Sequence, residues 1–286
     1  MKDRAAVARP ITGSVDTAGS IIVDELNRAL ERNAMRPLVL GLSGAQGSGK
    51  STLARLIANR LNAAGGRAAS VSLDDFYYGR AERRRIAARQ HPLFATRGPP
   101  GTHETALALD VLRAVKAGGA TRAPTFDKGA DERRPNAEWP LIPANLDVLI
   151  FEGWCIGARP EPAAALDAPM NMVESVFDRD RVWRFAVNEA LGGGYQALFA
   201  EIDYLVYLRA PDFDVVRKWR IEPERALAAA SPTPHPALMS ADEIAFFVQH
   251  FERITRSMMV DLPDRADLAL RLDERRRVVG VARKNS

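Results

Sequence analysis

The chain has 286 residues, 47% of them hydrophobic and 7% aromatic, which is ordinary for a folded protein and sufficient for one large domain. A formal net charge of +4 is compatible with anionic metabolites, and arginines scattered without interleaved aromatic residues argue against nucleic acid. One cysteine, Cys155, excludes an intrachain disulfide, and no apolar run or leader suggests a membrane span or a signal peptide. We therefore expect a cytoplasmic protein without nucleic-acid or membrane partners, and the oligomeric state stays open.

The first predicted element is a helix near the amino terminus. Between Ser20 and Ala34 apolar residues recur at helical spacing, and Ser20 precedes them as a candidate N-cap. We interpret residues 1–36 as an N-terminal extension with this one helix. Residues 37–286 are then a single domain.

A glycine-rich motif follows. The sequence GAQGSGKS at Gly44–Ser51 satisfies the phosphate-loop pattern G-x-x-x-x-G-K-[ST] in full. An apolar run at 38–42 predicts a strand before it, and apolar residues at helical spacing predict a helix over 52–61. Its three glycines would let backbone N–H groups surround a polyphosphate. Lys50 would reach the β- and γ-phosphates and the Ser51 hydroxyl would bind Mg²⁺, so the motif predicts a nucleoside triphosphate site.

Short apolar strands and amphipathic helices alternate along the rest of the chain. We predict strands at 68–73, 147–151, 203–208 and 266–272. We predict helices at 102–117, 182–191, 195–201, 212–229 and 240–259. This alternation predicts an α/β fold, with a P-loop NTPase-type parallel sheet of about five strands flanked by helices on both faces.

Acidic residues follow two of the predicted strands. Asp74 and Asp75 come after the strand at 68–73, and Glu152 comes after the strand at 147–151. In a parallel sheet, ligands collect at the carboxyl ends of the strands. Asp74 is therefore the candidate base for a hydroxyl acceptor, and Glu152 is the candidate for the outer shell of the metal. No Asn-Lys pair of the guanine-recognition type is present, which argues against a GTPase.

Three polar clusters fall in predicted loops or at the start of a helix. They cover 97–104, 124–134 and 217–220, and each combines arginine or lysine with other polar groups. The planar guanidinium of arginine binds phosphate or carboxylate oxygens two at a time, so these clusters are candidate ligand contacts. The arginine runs at 83–85 and 275–277 we interpret as solvated faces.

Several motifs together resemble the glycerate 3-kinases of the plant and fungal type. They are LDDFYY at 73–78, HPLFATRGPPGTHE at 91–104, PTFDKGADERRP at 124–135, DVLIFEGWCIG at 147–157, LVYLRAPDFDVVRKWR at 205–220 and FVQHFERITRSMM at 247–259. That family is similar to the uridine kinases, phosphoribulokinases and bacterial pantothenate kinases. The resemblance implies a five-stranded parallel sheet, and ATP with Mg²⁺ as the phosphoryl donor system.

The phosphate-loop motif, the acidic strand ends and the resemblance together predict roles for individual residues. Lys50 and Asp74 would be catalytic, with Asp74 as the base, and Ser51 and Glu152 would hold the metal. Nucleotide contacts would come from the phosphate loop and a lid, namely Gly44, Ala45, Gln46, Gly47, Ser48, Gly49, Lys50, Ser51, Thr52, Arg217 and Arg220. Acceptor contacts would come from Asp75, Tyr77, Arg97, His103, Asp127 and Lys128.

Two positions depart from the family pattern. Glu104 stands where the family usually has aspartate, in a loop expected to touch the acceptor. Pro223 lies in the lid helix, where the family tends to have glutamine or a similar residue. The first departure bears on acceptor identity and the second on lid geometry.

The predicted function is ATP-dependent phosphoryl transfer to a hydroxyl of a small anionic metabolite. D-Glycerate, giving 3-phosphoglycerate, is the leading acceptor. The same chemistry on a nucleoside, pantothenate or a sugar acid is an alternative. A nucleotide-sensing regulator without an acceptor is another, although it would have no need for acidic strand ends and acceptor-type loops.

Overall fold

A six-stranded sheet forms the centre of the computed structural model. The structure describes residues 14–32, 37–230 and 240–284, and at 223–230 and 241 it describes only the backbone. Its strands are β1 (Leu38–Gly44), β2 (Ala68–Ser72), β7 (Val148–Gly153), β8 (Tyr204–Arg209), β9 (Leu268–Leu272) and β10 (Val278–Arg283). Two ribbons lie outside the sheet, β3 (Thr121–Arg122) with β6 (Leu141–Ile142) and β4 (Phe126–Asp127) with β5 (Glu132–Arg133).

The sheet order is β10-β9-β8-β1-β7-β2. Five of these strands are parallel, and β10 runs antiparallel to β9 at the edge. The predicted α/β fold with about five parallel strands is confirmed. The prediction missed β10, because this short segment contains a glycine, Gly280, and becomes a strand only by pairing with β9.

The helices cover both faces of the sheet. They are α1 (Val15–Arg32), α2 (Lys50–Ala63), α3 (Arg80–Arg89), α4 (Thr105–Lys116), α5 (Val182–Ala190), α6 (Gln196–Phe199), α7 (Phe213–Ala230) and α8 (Ala241–Arg265). A capping box formed by Ser240 and Glu243 begins α8, which was predicted as the helix at 240–259. Along the described ranges, no helix is both long and apolar enough to cross a membrane.

Neighbouring residues of the central strands enter different cores, because side chains alternate across a sheet. Val39 of β1 belongs to one core together with Phe251 of α8. Leu40 of β1 belongs to the other, together with Ile57 of α2 and Leu26 of α1. Burial on both faces explains why the central strands are continuous apolar runs.

The N-terminal helix differs from its prediction. α1 begins at Val15, and Ser20 lies inside it with its hydroxyl donating to the Asp16 carbonyl rather than capping the start. The predicted end at Ala34 lies outside the described residues. Ile22 is fully buried, and Arg60 of α2 binds Asp16, so α1 packs against the sheet-covering helix α2.

Candidate active site

The phosphate loop joins the end of β1 to the start of α2. Gly47 and Gly49 have φ angles of 75° and 89°, in the left-handed region that favours glycine. A Cβ atom at Gly47 would lie 2.6 Å from the Cβ atom of Trp219, so a glycine is also required for space. Because α2 begins at Lys50, the backbone N–H groups of its first turn lie at the loop.

Two polar side chains of the loop point to a ligand. Gln46 Oε1 and Ser48 Oγ are buried and have no hydrogen-bond partner within the described parts of the chain. Buried polar atoms in folded proteins are rarely left unpaired. A nucleotide carries both donors and acceptors, so the loop fits the ligand that its sequence predicts.

The end of β7 lies beside the phosphate loop. Glu152 pairs in register with Leu42 of β1 and Ser72 of β2, and its Oε1 accepts a hydrogen bond from Ser51 Oγ at 2.7 Å. The side chain is 4% exposed, and its Oε2 has no partner among the residues described. A serine hydroxyl and a carboxylate are the oxygen donors that Mg²⁺ prefers, so this pair fits a magnesium site.

Asp74 follows β2 on a short turn, Leu73–Phe76. Its Oδ1 accepts a hydrogen bond from the Tyr77 hydroxyl at 2.8 Å, and its Oδ2 accepts one from Lys128 Nζ at 2.6 Å. Burial alone would raise the pKa of Asp74, but the charges of Lys128 and Lys50 lower it well below its usual range. Asp74 is therefore an ionised carboxylate under the influence of both lysines.

Asp75 has a different environment from its neighbour. Its Oδ1 accepts a hydrogen bond from the backbone N–H of Phe126 at 3.1 Å, which ties the turn after β2 to β4. Burial raises the pKa of Asp75 to about 6, although this hydrogen bond opposes the shift. Asp75, which was predicted to contact the acceptor, thus also anchors the β4–β5 hairpin (residues 126–133).

Asp131, at the tip of the β4–β5 hairpin, binds the arginine predicted to hold the acceptor. Its carboxylate lies 2.6 Å from Arg97 and 2.5 Å from Arg83. The Arg97 guanidinium also lies over the ring of Phe126 at 5.8 Å. Arg83 is 1% exposed, so the prediction of a solvated face at 83–85 is wrong for this residue, because Asp131 neutralises its charge.

Asp127 and Lys128 of the hairpin have different roles, since one stabilises the turn and the other contacts the site. Asp127 Oδ1 accepts hydrogen bonds from the N–H groups of Gly129 and Ala130, and its Oδ2 binds Arg134, so it stabilises the hairpin turn. Lys128 instead reaches Asp74. The structure thus places Lys128, but not the carboxylate of Asp127, in direct contact with the predicted base.

Glu104, the first departure from the family pattern, is held by Arg133. Arg133 binds the Glu104 carboxylate at 2.6 Å and donates to the backbone carbonyls of Phe76 and Tyr77. Arg133 therefore fastens the hairpin both to Glu104 and to the turn that carries Asp74. Sequence reasoning noted Arg133 only as part of a charged loop.

His103 is buried beside Asp74. It is 2% exposed, its ring lies 4.4 Å from the ring of Tyr77, and its Nδ1 is 2.6 Å from the hydroxyl of Tyr195. Burial lowers the pKa of His103 to about 3, against the opposing charge of Asp74. His103 is therefore neutral, so a contact between it and an acceptor would carry no positive charge.

Sequence comparison places the chain among known kinases. The Phosphoribulokinase / Uridine kinase family matches residues 39–158. The chain is 34% identical over 244 residues to the "Uncharacterized kinase mug58" of Schizosaccharomyces pombe, a match that covers 81% of this chain and 85% of that protein. The chain belongs to the phosphoribulokinase/uridine kinase family.

Two further relatives of this kinase carry a glycerate kinase name. The chloroplastic D-glycerate 3-kinase of Arabidopsis thaliana is 30% identical over 263 residues, covering 84% of this chain and 53% of that protein. The solved D-glycerate 3-kinase of Cryptococcus neoformans shares the fold, with a TM-score of 0.79, 24% identity and coverage of 94% of this chain and 98% of that one. The chain is thus a glycerate 3-kinase-like P-loop kinase.

The predicted lid arginines of this kinase lie on α7, which runs through Pro223 without a break in the helix. Arg217 is exposed and lies 3.5 Å from Asp214, and the Arg220 guanidinium lies 5.5 Å from the ring centre of Phe247 on α8. These two contacts join the arginines to α7 and α8.

The sequence reasoning missed a residue at the phosphate loop. Arg276, in the β9–β10 turn, donates from Nε to the Gly47 carbonyl at 2.5 Å and binds Glu222 of α7 at 2.6 Å. Its guanidinium also lies 5.0 Å from the ring centre of Trp219. The prediction that the run at 275–277 is a solvated face is therefore wrong for Arg276, and nothing local in the sequence distinguishes it from Arg275.

Proposed function

We propose that this P-loop kinase transfers the γ-phosphoryl group of ATP to a hydroxyl of D-glycerate, giving 3-phosphoglycerate. The observation that carries the proposal is Asp74, a carboxylate subject to the charge of Lys50 from the phosphate loop and hydrogen-bonded to Lys128 from the β4–β5 hairpin. The candidate base would thus lie between the nucleotide site at the phosphate loop and the cationic side chain of Lys128, which would bind an anionic acceptor. The names of the plant and fungal relatives support glycerate as the acceptor.

The nucleotide half of the site comes from the phosphate loop. Residues 44–49 and the first turn of α2 would hold the phosphates through backbone N–H groups, and Lys50 would neutralise the γ-phosphate. Ser51 and Glu152 would hold Mg²⁺, which when bound neutralises phosphate charge. The buried and unpaired oxygens described above support this placement.

The acceptor half comes from the turn after β2 and the β4–β5 hairpin. Lys128, 61% exposed at its side chain, is free to exchange Asp74 for an acceptor carboxylate. Arg97 would provide a second positive charge if its guanidinium bound the acceptor carboxylate while keeping its contact with Asp131. Asp74 would orient the hydroxyl and take its proton as the new oxygen–phosphorus bond forms.

An acceptor panel tests this function. Purified protein with ATP and Mg²⁺ is offered D-glycerate, L-glycerate, pantothenate, uridine and sugar acids, and the phosphorylated product is identified by mass spectrometry. We expect D-glycerate to give the highest kcat/KM, and Asp74→Asn to lose about 10²–10⁴-fold in kcat because the base is removed. Near-full turnover of Asp74→Asn would remove this residue from the base role.

A second acceptor is supported by a specific comparison. A pantothenate kinase of Rhizobium rhizogenes is 30% identical over 179 residues, covering 60% of this chain and 51% of that protein. Pantothenate, like glycerate, carries a carboxylate and a hydroxyl, so the Lys128 contact would suit both. A higher kcat/KM for pantothenate than for D-glycerate in the same panel would favour pantothenate as the acceptor. Binding of ATP without any phosphorylated product would indicate a nucleotide sensor.

A further inference from the structure

The triple glycine between α5 and α6 brings a tyrosine into the acceptor half of the site. Leu191–Tyr195 forms a wide helical turn in which Gly193 has non-helical angles, φ −93° and ψ −114°. A Cβ atom at Gly194 would collide with the Thr105 side chain at the start of α4. Gly194 therefore allows a close approach of this turn to α4, and Tyr195 is buried there with 2% exposure.

The hydrogen bonds of the Tyr195 hydroxyl fix the position of its proton. Its oxygen accepts a hydrogen bond from the backbone N–H of Gly101 at 3.1 Å and lies 2.6 Å from His103 Nδ1. A phenol has a single proton to donate, and within the described residues His103 Nδ1 is its hydrogen-bond acceptor. Tyr195 therefore donates to Nδ1, because the reverse arrangement would leave a buried hydroxyl proton unpaired.

This assignment determines the tautomer of His103. A neutral imidazole carries one proton, so an Nδ1 that accepts a hydrogen bond leaves the proton on Nε2. His103 Nε2 is buried and has no partner in the described part of the protein. It is thus an unused N–H donor on a ring stacked against Tyr77, whose hydroxyl binds Asp74.

We infer that Tyr195 is a positioning residue, which fixes His103 in the Nε2–H tautomer so that this donor binds an oxygen of the phosphoryl acceptor. The inference rests on the proposed function for the identity of the ligand, but the tautomer follows from the hydrogen bonds alone. A neutral donor recognises a hydroxyl or carboxylate oxygen by direction rather than charge. Lys128 would supply the positive charge that attracts the acceptor, and the His103 N–H group would orient it through a directional hydrogen bond.

Nitrogen NMR of histidine tests the tautomer without any substrate. In full-length protein labelled with ¹⁵N-histidine, long-range ¹H–¹⁵N correlations separate protonated from unprotonated ring nitrogens, and loss of one signal set in His103→Gln assigns His103. We expect Nε2–H in the wild type and a loss of that preference in Tyr195→Phe. An Nδ1–H tautomer in the wild type would overturn the role of Tyr195, whichever acceptor the kinase uses.

Kinetics test the ligand contact. Tyr195→Phe should raise KM for the acceptor about tenfold, with KM for ATP little changed, because a lost hydrogen bond weakens one ligand only. Tyr204→Phe, on β8 at a half-buried position, is the matched control, and thermal unfolding checks that all variants fold. An unchanged acceptor KM in Tyr195→Phe, with the tautomer disturbed, would exclude His103 Nε2 as an acceptor contact.

A double variant separates positioning from mere packing. Glutamine presents its amide N–H close to the place of Nε2–H and has no tautomers, so His103→Gln should retain most of the acceptor affinity. Adding Tyr195→Phe to His103→Gln should then change acceptor KM by less than about twofold. An equal loss in both backgrounds would show that Tyr195 acts only structurally. If no acceptor is phosphorylated, the proposed function fails, and the NMR result still decides the role of Tyr195.

Discussion

At the scale of single residues, the charge of Asp74 depends on groups from three parts of the chain. Lys50 comes from the phosphate loop, Lys128 from the β4–β5 hairpin, and the Tyr77 hydroxyl from the turn after β2. His103 faces the same carboxylate in its neutral form. Two positive charges offset the cost of burial, so a partly buried carboxylate stays ionised and able to orient a hydroxyl.

Removing one lysine should alter the pH dependence of the reaction. A base works only when ionised, so activity falls as pH drops through its pKa. In Lys128→Met, Lys50 and the Tyr77 hydroxyl still oppose the effect of burial, but the larger of the two lysine effects is lost and the pKa of Asp74 rises. We therefore expect kcat to fall between about pH 6 and pH 4, where ordinary carboxylates titrate. The wild type should keep its activity to lower pH. Steady-state kcat over this range, at saturating acceptor, measures the difference.

Lys128→Arg is the control for that experiment, because it retains the positive charge. Burial raises the pKa of Asp75 to about 6 and Lys128 lowers it, so the comparison is repeated in an Asp75→Asn background, where only Asp74 responds to the loss of Lys128. Identical acid limbs in Lys128→Met and the wild type would contradict an electrostatic role of Lys128.

At the scale of elements, the turn between β9 and β10 connects the phosphate loop to α7. Arg276 reaches Gly47 and Glu222, and the Trp219 indole N–H donates to the Glu274 carbonyl at 2.7 Å. The arginine has φ 61°, in the left-handed region that tight turns use, and its contacts with Gly47 and Glu222 hold its side chain at the loop. An antiparallel edge hairpin thus supports the conformation of the nucleotide-binding loop.

Arg276→Lys should weaken nucleotide binding. Lysine keeps the charge but cannot reproduce the guanidinium fork that joins the Gly47 carbonyl to Glu222, so KM for ATP should rise about fivefold. KM for the acceptor should not change. Steady-state kinetics with each substrate varied separately makes the measurement. Arg275→Lys, an exposed neighbour on the same turn, is the control, and equal effects of the two variants would refute the contact.

At the scale of the whole molecule, buried ion pairs fasten α8 to the rest of the fold. Arg253 binds both carboxylate oxygens of Glu174, at 2.7 and 2.6 Å, and donates to the carbonyls of Ala165 and Ala168. Glu174 is 1% exposed and Arg253 9%. The pair therefore joins α8 to the chain segment at 165–168 and to Glu174.

Breaking this pair should destabilise the protein strongly. Among the described residues, Glu174→Gln removes the closer of the two carboxylates that face the buried Arg253 and leaves only Glu161, at 3.6 Å, so the free energy of unfolding should fall by about 2–3 kcal/mol. Chemical denaturation measures this change. Asp167→Asn removes the partner of Arg181 in an exposed pair and should cost less than about 1 kcal/mol. Comparable losses in the two variants would contradict the distinction between buried and exposed pairs.

Local sequence was enough for the phosphate loop, the parallel sheet and the family. Eight consecutive residues shape the loop at Gly44–Ser51, because glycine φ angles are set locally. Apolar runs marked the parallel strands, because a strand covered on both faces needs apolar residues at every position. The strand pattern also predicted that Asp74 and Glu152 lie at the carboxyl ends of parallel strands, and the structure places them at the ends of the neighbouring strands β2 and β7.

Tertiary structure alone decided the partners of the site residues. Arg276 and Gly47 are 229 positions apart, and Tyr195 and His103 are 92 apart. Such pairs leave no periodic or spacing signal in the sequence, since their side chains meet only after the sheet and its helices pack. The chain's local pattern therefore determined which groups the site contains, and the fold determined which of them are charged, paired or left to bind a ligand.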